Sequence, residues 1–374
     1  MNIAFFSNQF ASAGGHGIAH YAQRLYEGLH AFEDINVLPV ATGCDKAPDE
    51  RRRFEKATGL RVIPWGRKLT PLSWIFMKNP PVEWWMDAPI DVTHNLAPGF
   101  PVATRRKLVV TVHDMGPITH PEYFLQKGGW SFRKGIEQAV RQADAIICVS
   151  QATADELVGV AGESVGKRIE VIHEGVDAVN FALAGADVSE MLEQHLPNGE
   201  PYILSVGAIS PRKNLVRVLR AFQRIAGKIP HHLMLTGGSG WEAGEVMELM
   251  HNPDMSPRLH SMGYVSDMQL KSLYQNAALY VHPSLFEGFG LTVLEAMAAG
   301  CPVVTSNKSS LAEVAGDAAL LVNPESVDEI ADAILALAMD ESKRDVYIQL
   351  GHQRVKQFRW SDTARKVAQV YRTV

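Results

Sequence analysis

The sequence predicts an α/β protein built from two doubly wound parallel sheets. Short apolar or β-branched runs alternate with helical patterns along most of the 374 residues. Strands that are apolar throughout are typical of parallel sheets covered on both faces. The alternation is present in each half of the chain, and 374 residues exceed what one hydrophobic core usually holds, so we expect two domains.

The candidate strands divide between the halves. In the first half they are NIAFFS, INVLPVAT, KLVVTVHD, AIICVS and IEVIHE. In the second half they are YILSVGAIS, HLMLTGG, LHSMGYV, ALYVHPS, PVVTS and AALLVN. Amphipathic segments follow several of them, such as the one that places Leu215, Val218, Leu219 and Phe222 on one side of a helix. Each half therefore predicts its own sheet with helices on both faces.

The strand pattern lapses near residue 196, where Pro197 and Pro201 bracket its restart. We therefore expect a first domain over residues 1–195 and a second over 196–358. Residues 359–374 form a last helix, with Ser361 as its N-cap and one apolar face. From its residues alone, this helix could complete the second domain or return to the first.

Composition excludes several classes of function. The chain has 36 basic and 41 acidic residues, and a net charge of -5 gives no sign of nucleic-acid binding. Three scattered cysteines, Cys44, Cys148 and Cys301, favour a reduced cytoplasmic protein over a disulfide framework or a zinc site. The first residues read as a strand and not as a signal peptide, and no apolar run approaches the ~20 residues of a membrane span.

Residues 51–90 depart from the regular pattern. They begin with Arg51, Arg52 and Arg53 and continue into a stretch that mixes tryptophans with lysine and arginine. One interpretation is ordinary packing beside a solvated basic turn. The other is a surface that contacts a lipid-linked substrate or an anionic membrane face.

The first motif with chemical content is SNQFASAGGHGIAHY. Gly15 and Gly17 permit close approach of a ligand to the backbone, just before a helix whose first N–H groups attract anions. The third glycine of a dinucleotide fingerprint is absent, since His20 stands there, and this argues against an NAD-dependent oxidoreductase. A flexible turn before a helix is the alternative.

The second motif, VGAISPRKNL, places Arg212 and Lys213 between a strand and a helix. Cations before a helix N-terminus oppose the helix dipole, so an anion bound between them would reconcile the two. Arginine can grip a phosphate with two N–H groups while lysine adds a point charge. Two exposed surface cations are the alternative.

The third motif is HPSLFEGFGLTVLEAMAAG, with Glu287 in a loop and Glu295 inside the following helix. The loop glycines let the main-chain amides of Phe289, Gly290 and Leu291 face a phosphate at the helix mouth. An ionised carboxylate can accept two hydrogen bonds from a vicinal diol of a ribose or hexose. A metal site is disfavoured, and a capping acid with an exposed helix residue is the alternative.

A fourth candidate, His113, follows the apolar strand KLVVTVHD. Ligands bind beyond the carboxyl ends of strands in open α/β sheets, although a structural role is the alternative for a single histidine.

These motifs, with ADAIICVSQATADEL, VIHEGVD, GYVSD and SSLAEVAGDAALLVNPES, resemble the retaining glycosyltransferases of family 4 and their E-x7-E signature. The resemblance covers nearly the whole chain. It implies a GT-B fold: two Rossmann-like domains with the active site in the cleft, the acceptor held mainly by the first and the nucleotide-sugar by the second. It also implies that the C-terminal helix packs back towards the first domain.

The resemblance also implies roles for individual residues. Arg212 and Lys213 would neutralise the donor diphosphate, Glu295 would hold the ribose, and Glu287 would hold the transferred sugar beside the amides of Phe289, Gly290 and Leu291. His113 would contact that sugar near its reacting carbon. The Gly15/Gly17 loop would close over the diphosphate, and the backbone of Tyr264 and Val265 would border the base. His20 and Thr292 depart from relatives that carry Arg and Pro there.

The resulting expectation is a metal-independent, retaining transferase with no cofactor besides its nucleotide-sugar donor. Similarity to O-antigen mannosyltransferases favours GDP-mannose, with UDP- and dTDP-sugars as alternatives. The acceptor would be a bacterial surface glycan or its lipid-linked precursor, as in lipopolysaccharide biosynthesis. The protein would be cytoplasmic, with peripheral contact to the inner membrane face through residues 51–90. A nucleotide-sugar epimerase or hydrolase of the same fold and a non-catalytic binding module are the competing functions.

Overall fold

A computed structural model shows two compact units. It describes residues 1–12, 17–124, 129–183, 185–238, 240, 244–252 and 256–374. The first unit comprises Met1–Gly175 and Trp360–Val374, and the second comprises Val176–Arg359. The division falls after Gly175 and not near residue 196, because two short helices of the segment that lacks strands pack with the second unit.

Each unit contains one sheet in which every strand pair is parallel. The strands of the first sheet are β1 (Asn2–Phe6), β2 (Asn36–Ala41), β3 (Arg61–Val62), β4 (Val92–Asn95), β5 (Lys107–Val112), β6 (Ala145–Cys148) and β7 (Ile169–Val171). The strands of the second are β8 (Tyr202–Val206), β9 (His232–Thr236), β10 (Leu259–Gly263), β11 (Leu279–His282), β12 (Val303–Ser306) and β13 (Leu320–Val322). The spatial orders are β3-β2-β1-β4-β5-β6-β7 and β10-β9-β8-β11-β12-β13.

Helices connect the strands. In the first unit they are α1 (Gly17–Leu29), α2 (Pro48–Thr58), α3 (Gly66–Phe76), α4 (Gly116–Thr119), α5 (Gly129–Gln142), α6 (Gln151–Ala161) and, at the C-terminus, α16 (Trp360–Thr373). In the second they are α7 (Ala178–Ala182), α8 (Ser189–His195), α9 (Leu215–Ile225), α10 (Gly244–Met250), α11 (Asp267–Asn276), α12 (Leu291–Ala298), α13 (Ser309–Ala315), α14 (Val327–Met339) and α15 (Glu341–Arg354). In the described part of the chain, no helix combines the length and the apolar character that a membrane crossing requires.

Both sheets follow the Rossmann order, in which the chain runs outward from a central strand on one side and then resumes on the other. The predicted doubly wound α/β class is confirmed. All the strands expected from the sequence are present, and two were missed: β3 has only two residues, and β4 (VTHN) carries polar side chains. A buried strand with a histidine and an asparagine lacks the apolar pattern on which the prediction relied.

The predicted inward faces are buried. On α9, Leu215, Val218, Leu219 and Phe222 lie in the core of the second unit. On α16, the expected face of Ala364, Val367, Ala368 and Tyr371 is buried and shares a core with α1, and Thr363 and Val370 are buried as well. The helix begins at Trp360, so Ser361 lies inside it and is not its N-cap.

A buried hydrogen-bond chain fixes α16 to the first sheet. His94 Nδ1 lies 2.6 Å from the Tyr371 hydroxyl, and His94 Nε2 lies 2.8 Å from Thr111 Oγ1. Burial, with the charge of His113, lowers the pKa of His94 to about 3, so the ring is neutral at neutral pH. A neutral imidazole has one donor and one acceptor, and both are used here.

We expect Tyr371→Phe to lower the free energy of unfolding of the first unit by about 1–3 kcal/mol, because it leaves a buried His94 nitrogen without its partner. Urea denaturation would measure the change. Tyr347→Phe is the matched control, since this tyrosine is only partly buried at the rim of the other core. Equal effects of the two substitutions would show that the His94–Tyr371 hydrogen bond contributes nothing specific.

Candidate active site

The second sheet has its topological switch point between β8 and β11. Ligands of open α/β sheets bind at such a point, beyond the carboxyl ends of the two strands. The loop after β8 carries Arg212 and Lys213, and the loop after β11 carries Glu287. Three of the predicted site residues therefore meet at this edge of the sheet.

The loop after β8 presents its two cations on a tight turn. Pro211–Lys213 form one 3₁₀ turn, and α9 begins only after Asn214. Asn214 has a left-handed backbone (φ 60°) and is buried, and its side-chain amide donates to Pro283 O at 2.9 Å and to Pro324 O at 2.7 Å. The turn is thus tied to the loop after β11 by a residue type that tolerates this conformation.

A neighbouring loop supports this turn from the side. Gly237, after β9, has φ +146°, and a Cβ atom there would lie 2.2 Å from Gly207 O. Only glycine fits at this position, because a backbone atom cannot move aside as a flexible side chain can. The close approach holds the β8 loop against the end of β9.

Glu287 lies between the two cations. Its Oε2 is 2.5 Å from Arg212 Nη1, and its Oε1 is 2.6 Å from Lys213 Nζ. The carboxylate and the ammonium are almost completely enclosed, whereas Arg212 is more exposed. Sequence analysis assigned Glu287 and the cations to different parts of a ligand; the structure joins them in one charge cluster.

Burial alone would raise the pKa of Glu287, but the charges of Arg212 and Lys213 hold it well below its usual range. Burial lowers the pKa of Lys213, although Glu287 acts in the opposite direction. With two cations and one anion, the three side chains carry one net positive charge. The cluster is therefore suited to an anionic ligand.

His282, the last residue of β11, lies behind the carboxylate. Its Nε2 is 3.3 Å from Glu287 Oε1 and 3.1 Å from Ser284 Oγ, and its Nδ1 is 2.9 Å from the Tyr280 hydroxyl. Burial and the charge of Lys213 lower the pKa of His282 to about 4. A neutral ring at this position contacts the Glu287 carboxylate without adding charge to the cluster.

The loop after β11 is held by α13, which follows β12. Ser309 donates a hydrogen bond to Glu287 O, and Ser310 Oγ lies 2.8 Å from both Glu287 O and Phe289 O, which share its single hydroxyl donor. Gly290 precedes α12 with φ +115°, and a Cβ there would lie 2.7 Å from Leu311. This glycine brings the first N–H groups of α12, at Leu291, close to the loop, and such groups lack partners within the helix.

Glu295 lies partly buried on α12, where the Tyr274 hydroxyl donates to its Oε2 at 3.5 Å. Burial, reinforced by the negative charge of Asp267, raises its pKa to about 7. Lys213 acts on Glu295 as well as on Glu287. The two glutamates of the motif therefore differ in charge state near neutral pH.

Tyr264 and Val265 follow β10 at the same edge of the sheet. The Tyr264 side chain is largely exposed, whereas Val265 is buried. Ser266 then caps α11 with a reciprocal capping box to Gln269. The segment thus joins the end of β10 to the capped start of α11.

His113 belongs to the first unit, where it follows β5 and is buried. Its Nδ1 lies 3.0 Å from Glu174 Oε1, and its Nε2 lies 2.9 Å from Leu96 O. Both ring nitrogens of His113 therefore have a hydrogen-bond partner within the first unit. Gly17 is the first residue of α1, and Gly15 lies outside the described residues.

Several supporting residues were missed by the sequence analysis: Glu174, Asn214, His282, Ser309 and Ser310. Glu174 follows β7 as His113 follows β5, so its place at a strand end was a signal that could have found it. For Asn214 the signal was weaker: asparagine is a residue type that tolerates a left-handed backbone conformation, and here it precedes a helix. Within the described ranges, no three His, Cys, Asp or Glu side chains are grouped to hold a metal ion.

Comparisons with known proteins identify the family. Residues 15–179 match the model of Glycosyltransferase Family 4, and residues 188–354 match that of Glycosyl transferases group 1. The O-antigen chain mannosyltransferase B of Escherichia coli is 31% identical over 95% of this chain and 96% of its own length. The chain belongs to glycosyltransferase family 4. It is therefore an enzyme that transfers a glycosyl group.

More distant similarities agree with this. The phosphatidyl-myo-inositol mannosyltransferase of Mycolicibacterium smegmatis is 27% identical over 96% of this chain and 90% of its own. Among solved structures, Anabaena Alr3699/HepE in complex with UDP and glucose has a TM-score of 0.76 at 20% identity, covering 100% of both chains. The glycosyltransferase WaaG has a TM-score of 0.72 at 15% identity, again over 100% of both chains. These structures establish the expected GT-B fold.

Two substitutions of Asn214 separate its backbone from its side chain. Asn214→Gly keeps the left-handed conformation and loses the hydrogen bonds, which we expect to cost about 1–3 kcal/mol of unfolding free energy. Asn214→Ala should cost about 1–2 kcal/mol more, since alanine is also strained there. Denaturation of both variants beside the wild type would measure this. An alanine variant as stable as the glycine variant would contradict the assigned backbone constraint.

Proposed function

We propose that the enzyme transfers mannose from GDP-mannose, with retention of configuration and without a metal ion, to a hydroxyl group of a growing surface glycan or lipid-linked oligosaccharide. The cluster of Arg212, Lys213 and Glu287 carries this proposal. It puts net positive charge at the switch point of the second sheet, beside the start of α12. A diphosphate fits that combination of cations and helix amides.

The bound diphosphate would complete the charge cluster. The ammonium of Lys213 has three donors, and Glu287 accepts one of them, so a phosphate can be bound without releasing the carboxylate. Arg212 supplies a planar guanidinium that can pair with phosphate through two N–H groups. Glu287 would then hold both cations in place while its remaining acceptor capacity binds a hydroxyl of the sugar.

In the chemical step, the bond between the anomeric carbon and the leaving phosphate oxygen breaks. Arg212, Lys213 and the first amides of α12 stabilise the negative charge that develops on the diphosphate. The acceptor hydroxyl attacks from the same face and gives its proton to the departing phosphate. The family resemblance assigns His113 to the transferred sugar, and Glu174 and Leu96 O fix the orientation of its ring within the first unit. The rate then depends on charge stabilisation and positioning, and the cations take the place of a metal.

Mannose is favoured by two relatives that align over nearly the whole chain, an O-antigen chain mannosyltransferase and a phosphatidyl-myo-inositol mannosyltransferase. A second donor class has support of its own. A second HepE structure, in complex with UDP-glucose, has a TM-score of 0.77 with this chain. UDP-glucose is therefore the second candidate donor.

A donor panel tests the proposal. GDP-mannose, UDP-glucose and a dTDP-sugar would be compared for protection against thermal unfolding, because a ligand that binds the native state raises the midpoint by mass action. Mass analysis with chelator present would then follow each donor with and without an oligosaccharide acceptor. We expect GDP-mannose to protect most and to lose its sugar to the acceptor. Product from the donor alone would indicate an epimerase or hydrolase, and activity restored only by Mg²⁺ or Mn²⁺ would contradict metal independence.

Lys213→Ala should weaken GDP binding by roughly 10- to 100-fold, because it removes a charge-assisted hydrogen bond. Glu287→Gln keeps the shape of the side chain and removes its negative charge, so GDP should bind at least as well. Transfer should fall by about 100-fold or more, because the carboxylate no longer holds the two cations and the sugar hydroxyl in place. Calorimetry and initial rates would measure the two effects. Lys308→Ala is the control, since that lysine forms an exposed ion pair with Glu325. Unchanged GDP affinity in Lys213→Ala would refute the role of Lys213.

The affinity for GDP should depend on pH through Glu295. Its pKa of about 7 leaves the carboxyl protonated below neutrality, and only the ionised form accepts both hydrogen bonds of a ribose diol. GDP affinity should therefore fall as the pH decreases from 8 to 6, by up to about tenfold per unit below the pKa. Calorimetry across this range would show it. In Glu295→Gln the dependence should weaken to the part that the terminal phosphate of GDP, with a second pKa of about 6, contributes by itself. An identical pH profile in that variant would exclude Glu295 as a source.

A further inference from the structure

Helix α3 of the first unit exposes its large apolar side chains. Thr70 and Ser73 face inward with Trp74, whereas Leu69, Leu72 and Phe76 are 62%, 48% and 71% exposed. The exposed positions recur at intervals of three and four residues, so they form one face of the helix. An amphipathic helix of a globular protein normally buries that face.

The apolar face continues beyond the helix. Trp65, immediately before it, is 45% exposed, and Met77, immediately after it, is 69% exposed. The ring of Phe76 lies 6.0 Å from that of Trp130 on α5, which is itself 52% exposed. We call the set Trp65, Leu69, Leu72, Phe76, Met77 and Trp130 the α3 patch.

Cations flank the α3 patch. Arg67 and Lys68 lie at the start of α3 and Lys78 lies after its end, and the segment from Gly66 to Lys78 contains no acidic residue. Of these three, Arg67 pairs with Asp45 at 2.7 Å. Aromatic and aliphatic residues on one face with lysine and arginine beside them are typical of helices that lie in a membrane interface.

A cavity of about 370 Å³ opens beside the end of α3. Trp74, Phe76 and Trp130 contribute apolar walls, and the charged residues in its lining are Lys78, Lys134, Glu137 and Arg141. Glu137 pairs with Lys134 at 2.7 Å. Three cations and one anion leave the cavity two net positive charges.

We propose that the α3 patch docks on a membrane of anionic phospholipid, with a lipid phosphate group in this cavity. The apolar face of α3 enters the boundary between headgroups and acyl chains, and Lys78, Lys134 and Arg141 face the phosphate. A second copy of the chain fits this surface less well, because pairing two α3 patches would bring their flanking cations together. An anionic bilayer supplies apolar chains and negative charge at one surface.

This docking surface differs from residues 51–90, the segment that the sequence indicated, because it leaves out the basic run at Arg51, Arg52 and Arg53. Arg51 pairs with Glu55 and Arg52 with Asp49 inside α2, and Arg53 donates to Asp49 O. The basic run is thus engaged within its own helix. The docking surface instead gains residues of α5 that are distant in sequence. It shares no residue with the proposed donor site.

Vesicle flotation of the full chain tests the proposal. Vesicles of phosphatidylglycerol with phosphatidylcholine should capture the wild type, and pure phosphatidylcholine should capture much less. Replacing Leu69, Leu72 and Phe76 together by serine should weaken capture at least tenfold. Lys78→Gln with Arg141→Gln should weaken it by roughly 30-fold on the anionic vesicles. Both variants should keep their thermal midpoints and their binding of GDP.

Matched controls make the test specific. Val179, Met339 and Val346 are exposed apolar residues of the second unit, and their serine variant should bind vesicles as the wild type does. Lys228→Gln with Lys356→Gln controls for loss of charge at exposed positions. Equal capture by both vesicle types, or unchanged capture of the α3 serine variant, would overturn the proposal.

Two further results would contradict membrane docking and assign the surface to another ligand. Self-association that the α3 serine variant abolishes, without vesicle capture, would assign the patch to a second copy of the chain. Protection by inorganic phosphate that Lys78→Gln with Arg141→Gln removes, again without vesicle capture, would assign the cavity to free phosphate.

Discussion

The buried carboxylate of Glu287 between Arg212 and Lys213 is the interaction on which the proposed donor site depends. Removing charges from water is costly, and a buried ion pair is retained only when its geometry and remaining hydrogen bonds compensate for that loss. Here the compensation comes from the surrounding loops. Asn214 fixes the cation turn, two serines of α13 hold the Glu287 carbonyl, and neutral His282 braces the carboxylate.

This arrangement gives the site charge and order before a ligand arrives. Two cations without Glu287 would repel each other, and Glu287 without them would be an isolated buried anion. Together they keep one positive charge in a fixed position. Electrostatic catalysis benefits from such preorganisation, because groups that are already in place need not reorganise when charge develops on a leaving group. The parallel sheet provides the frame, since its switch point brings the loops of β8 and β11 side by side.

Sequence analysis predicted the doubly wound sheets because buried parallel strands are apolar throughout, a property visible in the residues themselves. It missed β4, whose His94 and Asn95 are buried through hydrogen bonds to partners such as Tyr371, 277 residues away. It also placed the domain boundary too late, because the strand pattern cannot show with which unit α7 and α8 pack.

The candidate site shows the same limit. Arg212, Lys213, Glu287 and Glu295 could be selected from residue type and motif, but the ion pairs among them join positions 74 and 75 residues apart. Local spacing contains no information on such a pair. The raised pKa of Glu295 likewise results from burial and from Asp267 on another helix, neither of which the motif reveals. For the two glutamates, the motif alone predicted only that Glu287 lies in a loop and that Glu295 lies in a helix.

The affinities of the wild-type chain for guanosine, GMP and GDP, measured by calorimetry with chelator present, test the central claim most directly. If the Arg212–Glu287–Lys213 cluster receives the donor diphosphate, affinity should rise from guanosine to GMP and again, by roughly tenfold or more, from GMP to GDP. Equal affinities for the three ligands, or a rise that appears only when a divalent metal ion replaces the chelator, would contradict it.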